Sequence, residues 1–489
     1  MTNSPQLDTP TGAPRWLWIS AVVGFILTRA YLLGLLGPWL GVFVPNGTDA
    51  GLYFEYACAT VDSGQTVYRE IKVEYPPIAY WVIAAPRWMD HQRYSTRQWR
   101  AELTSEEPTL FFDYWRHFRW QMALFDVMAF ALFLAIVVGR APDRAASAAW
   151  GYVVGTAILG HMLYDRLDAG LLFLIVLWAF TWLRGSGRSE QSDGWLLASY
   201  FVLGLSIAYK LVPVVVLPLL LPCELWFLLD GRRTGQFRAA LMSVAGRLTV
   251  FLVAVAVPFL LHMTSAGRDT FAFLEYHGER ELEIESLWAT LLMLLRDVTG
   301  LTIQQGHGHG SYFVESVDSP VGMYFRYAST VSLFCAYGAL GIWALWQGRR
   351  FDRVRAFQAG CLGLCMLPIL ARVFSTQYLI WILPLVLLLG VELLSRLQYS
   401  MLMLAVLAIA AMTTWVFPYN FYSHNPMAPE ELINTNGLIP ALSRPACWML
   451  IARNALYLSM IAYLAIALVR RGRIPSGAAS QQGSPLTSA

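Results

Sequence analysis

The chain has 489 residues, of which 57% are hydrophobic and only 14% charged, and its formal net charge is +3. Soluble domains carry about 25% charged residues, so the composition excludes a soluble globular protein. The small, dispersed net charge excludes the electrostatic footprint of a nucleic-acid binder. What is left is an all-α polytopic membrane protein whose first partner is the lipid bilayer.

A span needs roughly 17–25 mostly apolar residues. In chain order such runs occur near 16–37, 120–139, 147–164, 169–184, 194–210, 212–229, 240–262, 322–346, 356–373, 378–395, 399–417 and 446–469, which predicts twelve spans. Of the 35 basic residues only Lys72 and Lys210 are lysines, so arginine carries the topology signal. Arginines crowd six short connections, at 140–144, 184–188, 232–238, 349–355, 396 and 470–473. With twelve spans and a cytoplasmic N-terminus all six fall on the cytoplasmic side, as the positive-inside rule requires. The run 76–89 must then stay out of the count. It opens with Pro76-Pro77, is too short to span, and is expected as a re-entrant or interfacial helix.

Three long segments, 38–119, 263–321 and 418–445, are predicted on the outer side. Residues 1–15 read as a cytoplasmic tail ahead of a retained first span, and the Ser/Gly-rich 471–489 as a disordered cytoplasmic tail. The six cysteines lie mostly in apolar runs without ligand spacing and read as buried thiols. His307-Gly308-His309 sits in a Gly-rich stretch expected to be a flexible loop rather than a metal pair. Asn46-Gly47-Thr48 is a formal glycosylation sequon, crowded against the bilayer.

Ionisable groups at a membrane are costly unless paired or hydrated, which makes them candidate sites. Asp49 follows the first span by about a dozen residues and precedes an aromatic stretch containing Tyr53. It reads either as the N-cap of a following helix or as a general base within reach of a hydroxyl proton, and the two are compatible. Tyr68-Arg69-Glu70-Ile71-Lys72-Val73-Glu74-Tyr75 packs four charges ahead of Pro76-Pro77. Arg166, Lys210 and Arg372 stand at outer ends of spans, against the positive-inside trend. Each alone could be snorkelling to headgroups; together they suit an anionic ligand, and phosphate suits Arg well. Asp168 is a candidate partner for Arg166.

The block from Asp49 through Tyr53, Gly64 and Tyr68-Arg69-Glu70 to Glu74-Tyr75-Pro76-Pro77 resembles the first external loop of GT-C membrane glycosyltransferases. Within them it is most similar to the bacterial polyprenol-phosphate-mannose-dependent α-mannosyltransferases. Arg166-Leu167-Asp168, Tyr209-Lys210, His277-Gly278-Glu279-Arg280, Glu285-Ser286-Leu287-Trp288 and Phe374-Ser375-Thr376-Gln377-Tyr378-Leu379-Ile380-Trp381 continue the likeness in order over 16–470. The resemblance implies a GT-C fold and an inverting transfer of a sugar, mannose by family default, from a polyprenyl-phosphate donor to an acceptor hydroxyl of a glycolipid or glycan at the outer face. It implies Asp49 as the base and Arg372, Lys210 and Arg166 as the groups that hold the lipid phosphate. Lys72, Glu74, Tyr75, Tyr53, Asp168, His277, Arg280 and Gln377 would line the pocket. No cofactor is implied and no metal. A transporter or lipid flippase is the competing reading of the twelve spans, but it predicts charges near the midplane of repeated halves. Here they gather at the outer rim. A third reading is an accessory subunit with a degenerate site, which the joint presence of Asp49, Lys210 and Arg372 disfavours.

Overall fold

The computed structural model describes residues 15–35, 49–90, 93–102, 105, 109–187, 192–308, 310–317, 319–420 and 444–471. The sequon Asn46-Gly47-Thr48, His309, residues 421–443 and nearly all of both tails lie outside them.

Helix α1 (Arg15–Leu32) leads through three short helices, α2 (Ala50–Val61), α3 (Pro77–Met89) and α4 (Thr96–Glu102), into α5 (Thr109–Arg140). Then come α6 (Ala145–Ile158) with its one-turn continuation α7 (Gly160–Leu163), α8 (Asp168–Gly185) and α9 (Ser192–Tyr209). A 3₁₀ turn at Val212–Val216 opens α10 (Leu217–Arg233), and α11 (Phe237–Ala266) follows. A mixed segment comprises α12 (Ala272–Glu279), β1 (Leu282–Glu283), α13 (Leu287–Thr299), β2 (Ile303–Gly308) and β3 (Ser311–Ser316). The chain closes with α14 (Val321–Gln347), α15 (Arg353–Leu370), α16 (Tyr378–Leu393), α17 (Arg396–Thr414) and α18 (Arg444–Arg471).

Among the described residues twelve of these helices occupy the twelve predicted spans, and the architecture is an all-α polytopic bundle. Eight candidate spans are long and apolar enough to cross a membrane. Helix α16, at 16 residues, is shorter; at 1.5 Å per residue it reaches about 24 Å, against a hydrocarbon core of about 30 Å. It is buried along nearly its whole length, so it is sheathed by protein and need not meet lipid at every level. Helix α14 is the opposite case: Phe334, Ile342 and Trp346 are exposed, an apolar surface suited to lipid contact.

Two predictions shift. Helix α5 starts at Thr109 rather than near 120, because Phe111, Tyr114 and Phe118 form a helical stripe that packs on Phe54 and Tyr53. Asp113, Arg116 and Arg119 break the apolar run there and hide that turn from a hydropathy count. The stretch around His307 is not a flexible loop: β2 and β3 pair antiparallel, β1 joins the other edge of β3, and the order is β1-β3-β2. Five cysteines are buried, but Cys335 on α14 is exposed.

Polar contacts sort the connections to opposite ends of the bundle. At the arginine-rich end Arg140 pairs with Glu392 at 2.7 Å, Arg349 with Asp230 at 2.7 Å and Arg396 with Asp143 at 3.1 Å. The α2–α4 and α12–β3 segments gather at the other end. Between the two, Asp126 in α5 is fully buried and accepts from Arg29 (2.8 Å), Tyr152 (2.8 Å) and Tyr164 (2.9 Å). A carboxylate so saturated fixes the mutual register of α1, α5 and α6 and offers nothing to a ligand.

The run 76–89 is the short helix α3, entered through extended Pro76 with Pro77 in its first turn, a position that lacks no needed N–H. Arg87 clamps it to the end of α2 by two bonds to Asp62, 3.0 and 2.7 Å, and a third to Asp90 at 2.5 Å. The Arg87 and Asp62 side chains are almost wholly buried. Removing one partner of a buried pair costs roughly 3–5 kcal/mol. Arg87→Ala should therefore lower the melting temperature in detergent and open residues 62–87 to limited proteolysis; unchanged melting and cleavage would show that the clamp is dispensable.

Candidate active site

Asp49 stands at the N-cap position of α2, but its side chain makes no capping bond. Its Oδ2 instead accepts from the phenols of Tyr53 and Tyr75, each at 3.3 Å, and from Nη1 of Arg166. Its Oδ1 has no hydrogen-bond partner among the described residues. The two phenols lie 3.2 Å apart with their rings edge to face. Burial first, and then neighbouring charge including Asp49, pushes both phenols up, so they remain protonated donors. Burial opposes the charge on Arg166, yet Asp49, Tyr53 and Tyr75 outweigh it and raise that guanidinium.

The local chain explains how Tyr75 is aimed. Tyr68 adopts φ +69°, the left-handed region that an aromatic residue rarely takes. The turn is closed by the Thr66 N–H donating to Glu70 at 2.5 Å and the Tyr68 N–H to the Ile71 carbonyl at 2.8 Å. This buries the Tyr68 ring against Tyr80 and His262 and lets its hydroxyl donate to the Tyr75 carbonyl at 2.8 Å. Conformations of this kind cost about 1–3 kcal/mol and persist where the surroundings over-determine them.

Asp168 does not take Arg166 as its ion-pair partner. Its Oδ1 accepts from Lys210 Nζ at 2.9 Å and from Trp381 Nε1 at 3.0 Å, while Arg166 stays within its field. The neighbouring Asp165 bonds Trp115 at 2.8 Å and pairs with Arg119 at 3.5 Å. Every charge of the Asp165-Arg166-Leu167-Asp168 turn thus has a partner on a different helix or segment. Lys210 lies 5.4 Å from the Tyr378 ring centroid.

Arg372, in the linker between α15 and α16, donates to the carbonyls of His277 and Gly278 at 3.3 and 3.0 Å. Burial, with Arg326 and Arg280 beside it, pushes its guanidinium down. Lys210, Arg280, Arg372 and Arg326 therefore make a cationic wall, with His277 on it. Arg326 was not singled out from the sequence. The signal was present, since it sits in the second turn of α14 at the same end of the bundle as the others, against the charge bias.

The linker is held from behind. The Glu283 N–H donates to the Arg372 carbonyl at 3.0 Å. Glu285 accepts from Thr376 at 3.0 Å and from Arg453 of α18 at 3.0 Å, with Arg453 wholly buried over the Phe374 ring. Burial pushes the carboxyl of Glu283 up, against the pull of Arg280. On the facing side Lys72, Glu74, Glu275, Tyr276 and Glu279 line a cavity of about 220 Å³ between the first loop and α12, with Tyr276 in the field of Glu74.

Every candidate residue from the sequence thus falls at one end of the bundle. Asp49, Tyr53, Tyr75 and Arg166 form one cluster; Asp168, Lys210, His277, Arg280, Arg372 and Gln377 line the adjoining wall; Lys72 and Glu74 edge the cavity.

No family model matches the chain, and no curated protein matches it. Among solved structures it is similar to ArnT from Cupriavidus metallidurans bound to undecaprenyl phosphate. That TM-score is 0.44 at 15% identity, over 96% of this chain and 80% of that one. For the apo state of the same protein the values are 0.43 and 14%, over 93% and 77%. The Archaeoglobus fulgidus oligosaccharyltransferase in its apo form gives 0.38 at 12% identity, over 96% of this chain and 59% of that one.

The shift at Glu283 has a measurable sign. Its pKa in the fold lies above the unfolded value of about 4.3. The stabilisation carried by the neutral carboxyl is therefore complete below that value and is lost as pH rises through the folded pKa. Glu283→Gln, fixed neutral, should melt with wild type at pH 4 and above it at pH 8. A gap that shrinks with rising pH would reverse the assignment.

Proposed function

We propose that the chain is a membrane glycosyltransferase of the GT-C type that moves a sugar from a polyprenyl-phosphate donor to an acceptor hydroxyl. The observation that carries this reading is the Asp49 carboxylate: three donors hold one oxygen, and the other has no described partner beside a wall of four cations. A general base needs a fixed carboxylate with an oxygen open to a hydroxyl proton. A departing phosphate needs preorganised positive charge that does not have to rearrange as the bond breaks.

In the proposed step the acceptor O–H gives its proton to Asp49 Oδ1 and the oxygen attacks the anomeric carbon. The bond from that carbon to the phosphate oxygen breaks on the opposite face, its electron pair leaves with the lipid phosphate, and the configuration inverts. Lys210, Arg280, Arg372 and Arg326 meet the growing charge on the leaving group, and an interaction that strengthens along the reaction lowers its barrier. Arg166 acts on the base rather than on the phosphate, by orienting Asp49. The acidic cavity edged by Lys72 and Glu74 is the acceptor's side. The resemblance in sequence points to mannose as the sugar.

A transporter would use its intramembrane charges, yet Asp126 and Arg29 are saturated by one another and by Tyr152, Tyr164 and Thr156. In membranes overexpressing the protein, radiolabel from polyprenyl-phosphate-mannose should pass to a new product in wild type and fall by about a hundredfold to ten-thousandfold in Asp49→Asn, with EDTA without effect. Residual transfer within about tenfold of wild type would sink the base assignment.

The orientation, with the site outside the cell, follows from the arginine bias. In a variant lacking Cys335, a cysteine at Glu279 should react with an impermeant maleimide in intact cells, and one at Arg233 only after lysis. The reverse pattern would invert the topology.

A further inference from the structure

Among the described residues, three buried side-chain atoms on the cationic wall lack a hydrogen-bond partner: Oε2 of Glu283, Nε of Arg280 and Oε1 of Gln377. Glu283 is only 5% exposed. The chain brings the three together. The Glu283 N–H is bonded to the Arg372 carbonyl, five residues before Gln377. Arg280 lies three residues before Glu283 and within the field of Tyr378, the neighbour of Gln377. The frame around them is otherwise complete: Glu285 is bonded by Thr376, Arg453 and Asn454, and Ser286 caps α13. Buried polar groups in a native fold find partners, so three unmet atoms in a satisfied frame mark a place for a polar guest.

We infer that Glu283, Arg280 and Gln377 form a hydroxyl-reading subsite for the sugar of the lipid-linked donor, with Glu283 as its specificity-determining residue. This rests on the glycosyl-transfer reading above. The three atoms present two acceptors and one donor. A sugar hydroxyl donates one hydrogen bond and accepts others, so two neighbouring hydroxyls can donate to Glu283 and Gln377 while one of them accepts from Arg280. Position agrees with chemistry. The anomeric carbon must lie between the cations that take the phosphate and Asp49, which takes the proton. Arg280 is in the field of both Tyr75, which touches Asp49, and Tyr378, which faces Lys210. The ring carbons that follow the anomeric carbon then fall against this wall. A site built to bond a hydroxyl rejects an analogue lacking it far more strongly than an apolar pocket does, because its own groups are left unpaired.

The test uses the full chain in nanodiscs with polyprenyl-phosphate-mannose and its 2-, 3-, 4- and 6-deoxy analogues. The proteins are wild type, Glu283→Ala and Gln377→Leu, and transfer and binding of sugar-free polyprenyl phosphate are both measured. Wild type should lose roughly tenfold to a hundredfold in kcat/KM on one or two adjacent deoxy analogues. In Glu283→Ala and Gln377→Leu that discrimination should collapse to within about threefold, with binding of polyprenyl phosphate retained. Deoxy profiles of both variants parallel to wild type would overturn the subsite, and would mean that water alone fills the three groups while the transfer reading stands. Loss of polyprenyl-phosphate binding in both variants would reassign these residues to the phosphate or the fold. Wild type transferring from none of the donors and binding no polyprenyl phosphate would overturn the parent reading, and this one with it.

Discussion

The ion pair between Asp49 and Arg166 joins two parts of the chain more than a hundred residues apart, and the geometry of the site depends on it. Asp49 opens the helix that leads the first loop, and Arg166 sits in the turn between α7 and α8. The pair is partly buried, with side-chain exposures of 19% and 14%, so its attraction is screened less than at a surface and its desolvation cost is real. The surroundings offset that cost. Tyr53 and Tyr75 add two donors to the same oxygen, and Asp165 on the next residue is tied to Arg119 and Trp115 of α5. Asp126 reaches the same turn through Tyr164. The Asp49 carboxylate is positioned by the bundle, through a turn in which each charged residue holds a different neighbour.

The cationic wall poses the opposite problem. Burial, with Arg326 and Arg280 beside it, pushes the Arg372 guanidinium down, and two of the wall's cations are partly neutralised, Lys210 by Asp168 at 2.9 Å and Arg326 by Glu315 at 3.5 Å. Like charges held together in a half-dry place are tolerated when something binds them to the scaffold. Here Arg372 is fixed by two carbonyls and its linker by the Glu285–Arg453 pair. The arrangement stores electrostatic potential that an anion can use.

The span pattern was legible because it rests on length and on arginine bias, two properties that each window of sequence carries by itself. Short helix α3 could be placed from Pro76-Pro77 and from the parity of the arginine loops. Pairings were harder. Asp168 reads naturally as the partner of Arg166, two residues away, but residues i and i+2 point apart in a tight turn, and each found its counter-charge on a segment that only the fold brings near. The cap reading of Asp49 was right about position and wrong about the bond, since Tyr53 and Tyr75 compete for the carboxylate. The start of α5 and the β2–β3 hairpin were missed because charged residues and glycines mask periodicity. Arg326 was missed because it lies inside an apolar run, where one charge looks like noise.

The two sides of the site are built to different standards of rigidity. Residues 372–377 are welded to β1 and to α18, and they run straight into α16, the most enclosed helix of the bundle. The opposite cavity is bounded by the exposed side chains of Lys72, Glu275 and Glu279 and the half-buried Glu74 and Tyr276, over buried Val73 and Phe273. Side chains that face the cavity from α12 and from the turn at Lys72 can therefore change with little disturbance elsewhere, while a change at the linker propagates into the core. The architecture therefore tolerates variation on the cavity side of the site more readily than on the linker side.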